Sequence, residues 1–193
     1  KIKKYSPSAI ISVDTRKAIV AEKALQAGAS IVNDISAGSF DKKMFSVVAK
    51  YKAGICLMHS QGLPENMQDK PYYENVLLDI YDYLGEKITE AKSKGISREK
   101  LIVDPGIGFG KSFSHNMEII KKVSLFLGLG CPLMIGVSRK SFIGEIISER
   151  LPSARLSGSI AAMLKIVSNG VNIVRVHDVK ETVDAMKVWN IFK

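Results

Sequence analysis

Residues 101–112 read LIVDPGIGFGKS. A short apolar run ends on Asp104, and a proline and three glycines follow before Ser112 opens an amphipathic segment. The fold turns on what this glycine-rich loop is. A Walker A motif would need glycine where Pro105 stands, and the dinucleotide fingerprint would need its third glycine at Lys111 rather than Gly110. Neither pattern fits. What remains is a strand ending on a carboxylate, followed by a flexible loop that brings backbone and Phe109 close to a flat ligand.

The same unit recurs on either side. Strand candidates are AIISVD (9–14), SIVND (30–34), GICLMH (54–59), LIVD (101–104), PLMIGV (132–137) and VNIVRVH (171–177). They are short, apolar and mostly β-branched, as buried parallel strands are. Helical patterns lie between them at 16–28, 42–53, 72–94, 115–127, 140–149 and 154–169, and a last one runs over 179–191. Gly28, Gly95, Gly128 and Gly170 stand where left-handed helix stops belong. No linker or composition shift divides the chain, so a single domain over 1–193 is expected.

Strands each followed by a helix build either a doubly wound sheet or a (β/α)8 barrel. Polar residues end nearly every strand: Asp14, Asn33, His59, Asp104, Arg139 with Lys140, and Arg175 with His177. An open sheet binds mainly at one switch point, whereas a barrel gathers all its strand ends around one mouth. The pattern predicts a barrel. Residues two apart share a strand face, so Ser12 with Asp14, Ile31 with Asn33, Ile102 with Asp104, and Ile173 with Arg175 and His177 point inward. Val13, Val32, Val103 and Val174 then face the helices. Eight strands close such a barrel, so this chain is expected to carry about six βα units, strands three to eight, with the first two absent or supplied by another chain.

Composition narrows the partners. Hydrophobic residues make up 46% of the 193, enough for a sizeable core. No apolar run is long enough to span a membrane, and the basic start KIKKYSPSAIISVD lacks a signal peptide's apolar region and cleavage site. A cytoplasmic location is expected. Cys56 and Cys131 lie in apolar runs without CxxC spacing, which predicts buried reduced thiols. Lysine and arginine outnumber acids by 28 to 19, a formal charge of +9. Such an excess suits nucleic acid, an acidic surface or anionic small molecules. The lysines are spread over helix faces and aromatics are only 7% of the chain, which argues against nucleic acid.

Three constellations carry chemistry. Arg175 and His177 set a planar guanidinium and an imidazole on one strand tip, which makes an anion site; the competing reading pairs Arg175 with Asp178. Asp14 and Asp104 offer carboxylates to an amidine-like edge and Asn33 adds an amide, a set that suits a planar nitrogen-rich heterocycle. Metal ligation, paired acid–base chemistry, and helix capping by Asp14 before Thr15 and Arg16 are the alternatives, and no HxH or ExxH accompanies the acids. In SRKSF, Arg139 and Lys140 stand at a helix start, where the dipole disfavours cations. An anionic or electron-rich ligand explains them, with Lys140 reaching inward and the Ser141 hydroxyl or backbone amides meeting the carboxylate of a second substrate. His59 and His115 are expected to be structural.

The segments ISVDT, NDIS, LMH with PENMQ, DPGIGFGK, GVSRKSFIG and RVHDV, in that order, resemble the bacterial dihydropteroate synthases of the pterin-binding family. The resemblance covers essentially the whole chain, and SRKSFIG with RVHD separates it from the pterin-binding methyltransferases that share the barrel. It departs in lacking the family's first two βα units, which hold an N-V-T-P-D-S-F loop and a metal-contacting asparagine. A smaller departure is Ser60 with Gln61, where the family has methionine and a basic residue. The resemblance implies a (β/α)8 barrel transferase of folate biosynthesis, a sulfonamide target. It joins 6-hydroxymethyl-7,8-dihydropterin diphosphate to p-aminobenzoate and releases diphosphate. Magnesium comes bound with the diphosphate, and no metal ligand falls in this chain. Carried over, the pterin falls to Asp14, Asn33, Ile35, Met58, Asp104, Phe109, Gly136 and Lys140, of which Lys140, Asp104 and Asp14 are catalytic. Diphosphate falls to Arg175 and His177, and p-aminobenzoate to Ser141. A cytoplasmic homodimer taking only small molecules is implied, with no nucleic acid or membrane. A catalytically silent pterin-binding fragment and a methyltransferase domain are the alternatives.

Overall fold

The computed structural model describes residues 1–62, 67 and 69–192. Among these residues six parallel strands form: β1 (Ser12–Asp14), β2 (Ile31–Asp34), β3 (Gly54–Met58), β4 (Leu101–Asp104), β5 (Met134–Ile135) and β6 (Ile173–Val174). The first four form one sheet in chain order, β5 pairs with β6, and a parallel bridge from Val103 to Leu133 joins the two groups. Every strand but β4 is shorter than its apolar run. Beyond β4 the ladder is carried by Val103 N–H donating to Pro132 C=O at 2.9 Å. Pro132 has no N–H to return, so regular pairing starts only two residues later.

The helices wrap one side of this sheet. They are α1 (Ile2–Tyr5), α2 (Ala18–Gln26), α3 (Met44–Lys50), α4 (Val76–Ser93), α5 (Phe113–Lys121), α6 (Ser141–Ile146), α7 (Leu156–Ser168) and α8 (Val179–Ile191). In α4 the buried residues Val76, Ile80, Leu84, Ile88 and Ala91 recur every three or four positions, one apolar stripe. The Asn75 side chain caps it by accepting from Leu77 and Leu78 N–H. The predicted helix over 115–127 divides instead. α5 ends at Lys121, a 3₁₀ stretch runs Val123–Leu129, and the left-handed stop falls at Gly130 rather than Gly128. Gly128 lies against the Tyr81 hydroxyl, where a Cβ would come within 3.0 Å. Close packing, not helix termination, explains that glycine.

Register fixes which residues face the barrel axis. Asp14 pairs with Asn33, Asn33 with Cys56 and Cys56 with Ile102, one inward row, while Met58 pairs with Asp104 two residues further along. The outward set, Val32, Ile55, Leu57, Leu101, Val103 and Ile135, is wholly buried beneath the helices with Met44, Ile80, Leu84, Ile119 and Phe126. Burying a side chain of that size is worth about 1.5–3 kcal/mol. Cys56 and Cys131 are both buried free thiols.

Candidate functional site

The strand ends converge. A cavity of about 540 Å³ at the C-terminal rim is lined from β1 by Asp14, from β2 by Asn33 and then Ile35, and from β3 by Met58. Asp104 and Phe109 line it from β4 and its loop, Gly136, Arg139 and Lys140 from the chain after β5, and Arg175 and His177 from the chain after β6. Of the sequence-predicted site residues only Ser141 lies elsewhere. It is exposed on the outer side of the rim and lines a separate hollow with Gly144, Glu145 and Arg150. The period-two reading of the strands accounts for the convergence. A more open space of about 690 Å³ lies between the edges of β1 and β6; apolar Ile11, Val13 and Ile173 line it together with Asp14, Asn33 and Arg175, which the two spaces share.

The polar groups in the mouth are partly committed to one another. Asn33 Nδ2 donates to Asp14 Oδ1 at 2.9 Å, and Arg175 Nη2 donates to Asp14 Oδ2 at 2.6 Å. Asp14 therefore orients an amide and a guanidinium and caps nothing: Lys17 holds the N-cap position of α2 without a side-chain cap, and Ala18 N–H goes to Asp41 instead. Among the described residues the buried Asn33 Oδ1 has no hydrogen-bond partner. A buried acceptor left unpaired costs about 1–3 kcal/mol, so this oxygen calls for an N–H donor inside the cavity.

Asp104 is 5% exposed. Burial pushes its carboxyl up to about 6, against the pull of the Gly106 N–H, Lys140, Lys111 and Arg175. The Gly106 bond, 2.7 Å to Oδ1, leaves Oδ2 for a ligand. Lys140 lays its Nζ 4.2 Å over the Phe109 ring. Its burial lowers its pKa, which Asp104 raises and Arg175 lowers. A flat slot results, with an aromatic and Met58 for walls and a carboxylate, an amide oxygen and an ammonium on its edges.

The loop after β4 is pinned rather than flexible. Asn116 Oδ1 accepts from Gly108 N–H at 2.8 Å, Tyr73 O–H donates to Gly110 C=O at 2.7 Å, and Lys111 Nζ donates to Phe109 C=O at 2.9 Å. Its glycines serve close approach to protein, not only to a ligand. Gly106, at φ +71°, has no room for a Cβ against the His59 carbonyl oxygen, and Gly110, at φ +63°, none against that of Gln61. The PENMQ segment (64–68) lies outside the described residues except for Met67.

Arg175 does not pair with Asp178. Asp178 takes Arg139 instead, whose Nε donates to Oδ2 at 3.0 Å and whose Nη2 donates to Oδ1. The Arg139 pairing holds the Asp178 carboxyl below its ordinary value. Arg139 sits at φ +59°, with its N–H bonded to Ser159 Oγ and its C=O to Arg155. Ser138 Oγ lies 3.0 Å from His177 Nδ1 and accepts from His177 N–H. This strap between two rim loops was missed from sequence, because its partners lie 39 residues apart. Lys111 was missed too. His59 and His115 are structural: His59 N–H donates to Asp104 C=O, and His115 completes a capping box with Ser112 at the start of α5.

Fold and rim together define a parallel α/β-barrel protein of the kind that binds small molecules at the carboxyl ends of its strands. Residues 1–177 match the model of the pterin binding enzyme family, and the chain belongs to that family. It is similar to the dihydropteroate synthase of Neisseria meningitidis serogroup C, 44% identical over 181 residues, which are 93% of this chain and 64% of that protein. The chain thus spans just under two thirds of this relative's length. A crystal structure of dihydropteroate synthase from Stenotrophomonas maltophilia with active site-bound imidazole superposes with a TM-score of 0.94 at 37% identity, covering 99% of this chain and 72% of that one. The Xanthomonas albilineans dihydropteroate synthase in complex with 7,8-dihydropteroate gives 0.90 at 35% identity, covering 99% and 70%. The six βα units are those of a (β/α)8 barrel.

Proposed function

We propose that this chain is the pterin-binding barrel domain of a dihydropteroate synthase, a transferase that joins 6-hydroxymethyl-7,8-dihydropterin diphosphate to p-aminobenzoate and releases diphosphate. The observation that carries the reading is the pairing of an orphaned buried acceptor, Asn33 Oδ1, with the buried carboxyl of Asp104 across one flat slot. A dihydropterin presents ring N–H and amino donors along one edge, which is what two such acceptors need. The complex of a 35% identical relative with dihydropteroate supports the same substrate class.

In this reading Asp104 and Asn33 bind the heterocycle, Met58, Phe109, Ile35 and Gly136 hold it flat, and Lys140 closes its outer edge. Arg175 spends one N–H on Asp14 and has others for the diphosphate, which His177 also meets. The C–O bond from the exocyclic methylene to diphosphate breaks, its electrons leaving with the diphosphate. The amine lone pair of p-aminobenzoate forms the new C–N bond, and that nitrogen gives up a proton. No protein nucleophile is needed; positioning and charge stabilisation supply the rate. Among the described residues no three His, Cys, Asp or Glu side chains group to hold a metal. They form no cage for magnesium, which in this reading arrives on the diphosphate.

Ser141 meets p-aminobenzoate only if that substrate reaches over the rim, because its hydroxyl lies outside the central cavity. That placement favours a second reading, a pterin-binding domain without the second substrate. Two free buried thiols fit a cytoplasmic protein, and the exposed apolar residues Ile146, Ile147 and Leu151 fit a homodimer contact in the C-terminal half. Among the described residues no helix is long and apolar enough to cross a membrane. Isothermal titration of this chain with 7,8-dihydropteroate, and then with p-aminobenzoate in the presence of diphosphate, separates the readings. Both ligands binding is the expected result; dihydropteroate without p-aminobenzoate favours the second reading, and no binding of either removes both.

A further inference from the structure

One buried cation belongs to neither the substrate contacts nor the helix faces. Lys111 follows the glycine loop and is 2% exposed. Its three ammonium protons meet three acceptors: His59 Nδ1 at 3.0 Å, Phe109 C=O at 2.9 Å and His59 C=O at 3.4 Å. None of the three is a carboxylate, so hydrogen bonding leaves the charge itself unneutralised. Burying an unpaired ammonium is expensive, and a cheaper residue would tie a loop down equally well. Its charge must therefore serve something nearby.

The groups facing it are few. His59 comes from the end of β3, Asp104 from β4 and Lys140 from the loop after β5. His59 is held neutral, its imidazole pushed down to about 3 by burial and by Lys111, so Nδ1 accepts and Nε2 carries the proton. Lys140 repels the ammonium. Asp104 alone attracts it, and Asp104 in turn feels Lys140, Lys111 and Arg175. Cys56, buried one row below on β3, is a thiol raised by burial and by Asp104, and it adds no charge. Without Lys111 the carboxyl would lose one of the three cations that oppose its desolvation.

Resting on the reading of the cavity as a pterin site, we propose that Lys111 is a positioning residue for that site. It ties the 105–110 loop across to His59 and supplies the positive charge that keeps Asp104 ionised, so that the carboxylate accepts from the ligand. The two groups form a coupled pair. Burial pushes Lys111 down and Asp104 up, and each charge opposes the other's shift, so the ammonium and the carboxylate hold one another ionised. Well above neutral pH Asp104 is ionised without that help.

The experiment compares this chain with Lys111→Met, which removes tether and charge, and Lys111→Gln, which keeps two N–H donors for the carbonyls but no charge. Two quantities are read: the titration of Asp104 by carboxyl-selective NMR, assigned with Asp104→Asn, and the affinity for 7,8-dihydropteroate from pH 5.5 to 9. Both variants are expected to move the Asp104 midpoint upward by about half a unit or more, a threefold change in its ionisation constant. Affinity should fall near pH 6.5 by about 1.5-fold for a half-unit rise of the midpoint and about threefold for a full unit, and recover toward the wild-type value by pH 9 in Lys111→Gln. A merely structural lysine would lower affinity equally at every pH and leave the Asp104 midpoint where it was, and that result overturns the proposal. Should Lys111→Met not fold, Lys111→Gln decides alone; should neither fold, a merely structural role is the better account and the proposal falls. If wild-type protein binds no dihydropteroate, the functional reading fails, whereas the NMR midpoint still judges Lys111.

Discussion

Replacing Asp104 by asparagine is expected to make this protein more stable and less able to bind. The carboxyl is buried and makes one backbone hydrogen bond, from Gly106 N–H at 2.7 Å, which an asparagine oxygen retains. Its folded pKa is about 6, against an ordinary 3.8. Because that value is raised, the folded state holds its proton more tightly than the unfolded chain. Stability is therefore undiminished below pH 4, falls as pH rises through 4 to 6, and stays lower above that. A rise of about two units corresponds to about 3 kcal/mol, an upper figure because any relaxation of the site reduces it. A chain of this size gains about 2–4 °C in melting temperature per kcal/mol. Asp104→Asn should therefore melt about 5–10 °C above wild type at pH 7.5 and level with it at pH 4. Its affinity for dihydropteroate should fall by about a hundredfold, since two hydrogen bonds to a charged acceptor, about 1.5–3 kcal/mol each, are weakened together. Circular-dichroism melts at the two pH values and isothermal titration are the assays. A variant equally or less stable than wild type at pH 7.5, or one that keeps its affinity, would refute the assignment of Asp104 as a desolvated carboxylate held for a ligand.

Two further substitutions test the loops around it. Gly106→Ala places a Cβ against the His59 carbonyl oxygen at φ +71°; the left-handed backbone alone costs about 1–2 kcal/mol, so a melting point lower by at least 3–5 °C is expected by about 2–4 °C per kcal/mol. An unchanged melt would show that the loop does not need its glycine. Asp178→Ala frees Arg139, and for a pair about a quarter exposed the loss should be about 1 kcal/mol in chemical denaturation. Arg139→Gly should cost less in the Asp178→Ala background than in wild type, because φ +59° suits glycine and the guanidinium then has nothing to hold. Strict additivity of the two changes would show that the strap carries no load.

How much of this was legible in the sequence follows from which interactions are local. Alternation along a strand is local, and it alone places Asp14, Asn33, Asp104 and Arg175 on the inward face. Strand length was not local: PLMIGV reads as six strand residues, yet the proline and the bridge at Leu133 leave only Met134 and Ile135 in the ladder. The glycine loop was legible as unusual and misread as flexible, because what its glycines approach is the His59–Gln61 segment of another unit. Lys111 appeared only as the residue that breaks a dinucleotide fingerprint. Its meaning depends on the pairing of Met58 with Asp104, which brings the ends of β3 and β4 side by side and sets His59, 52 positions away, against the ammonium. The same reasoning explains why positive charge crowds a rim where helix dipoles disfavour it. Arg175, Lys140 and Lys111 all face one carboxyl that burial alone would protonate. They repel one another less than they oppose that protonation only while Asp104 is charged, so the rim is built around an ionised Asp104, the state in which it accepts hydrogen bonds from a ligand.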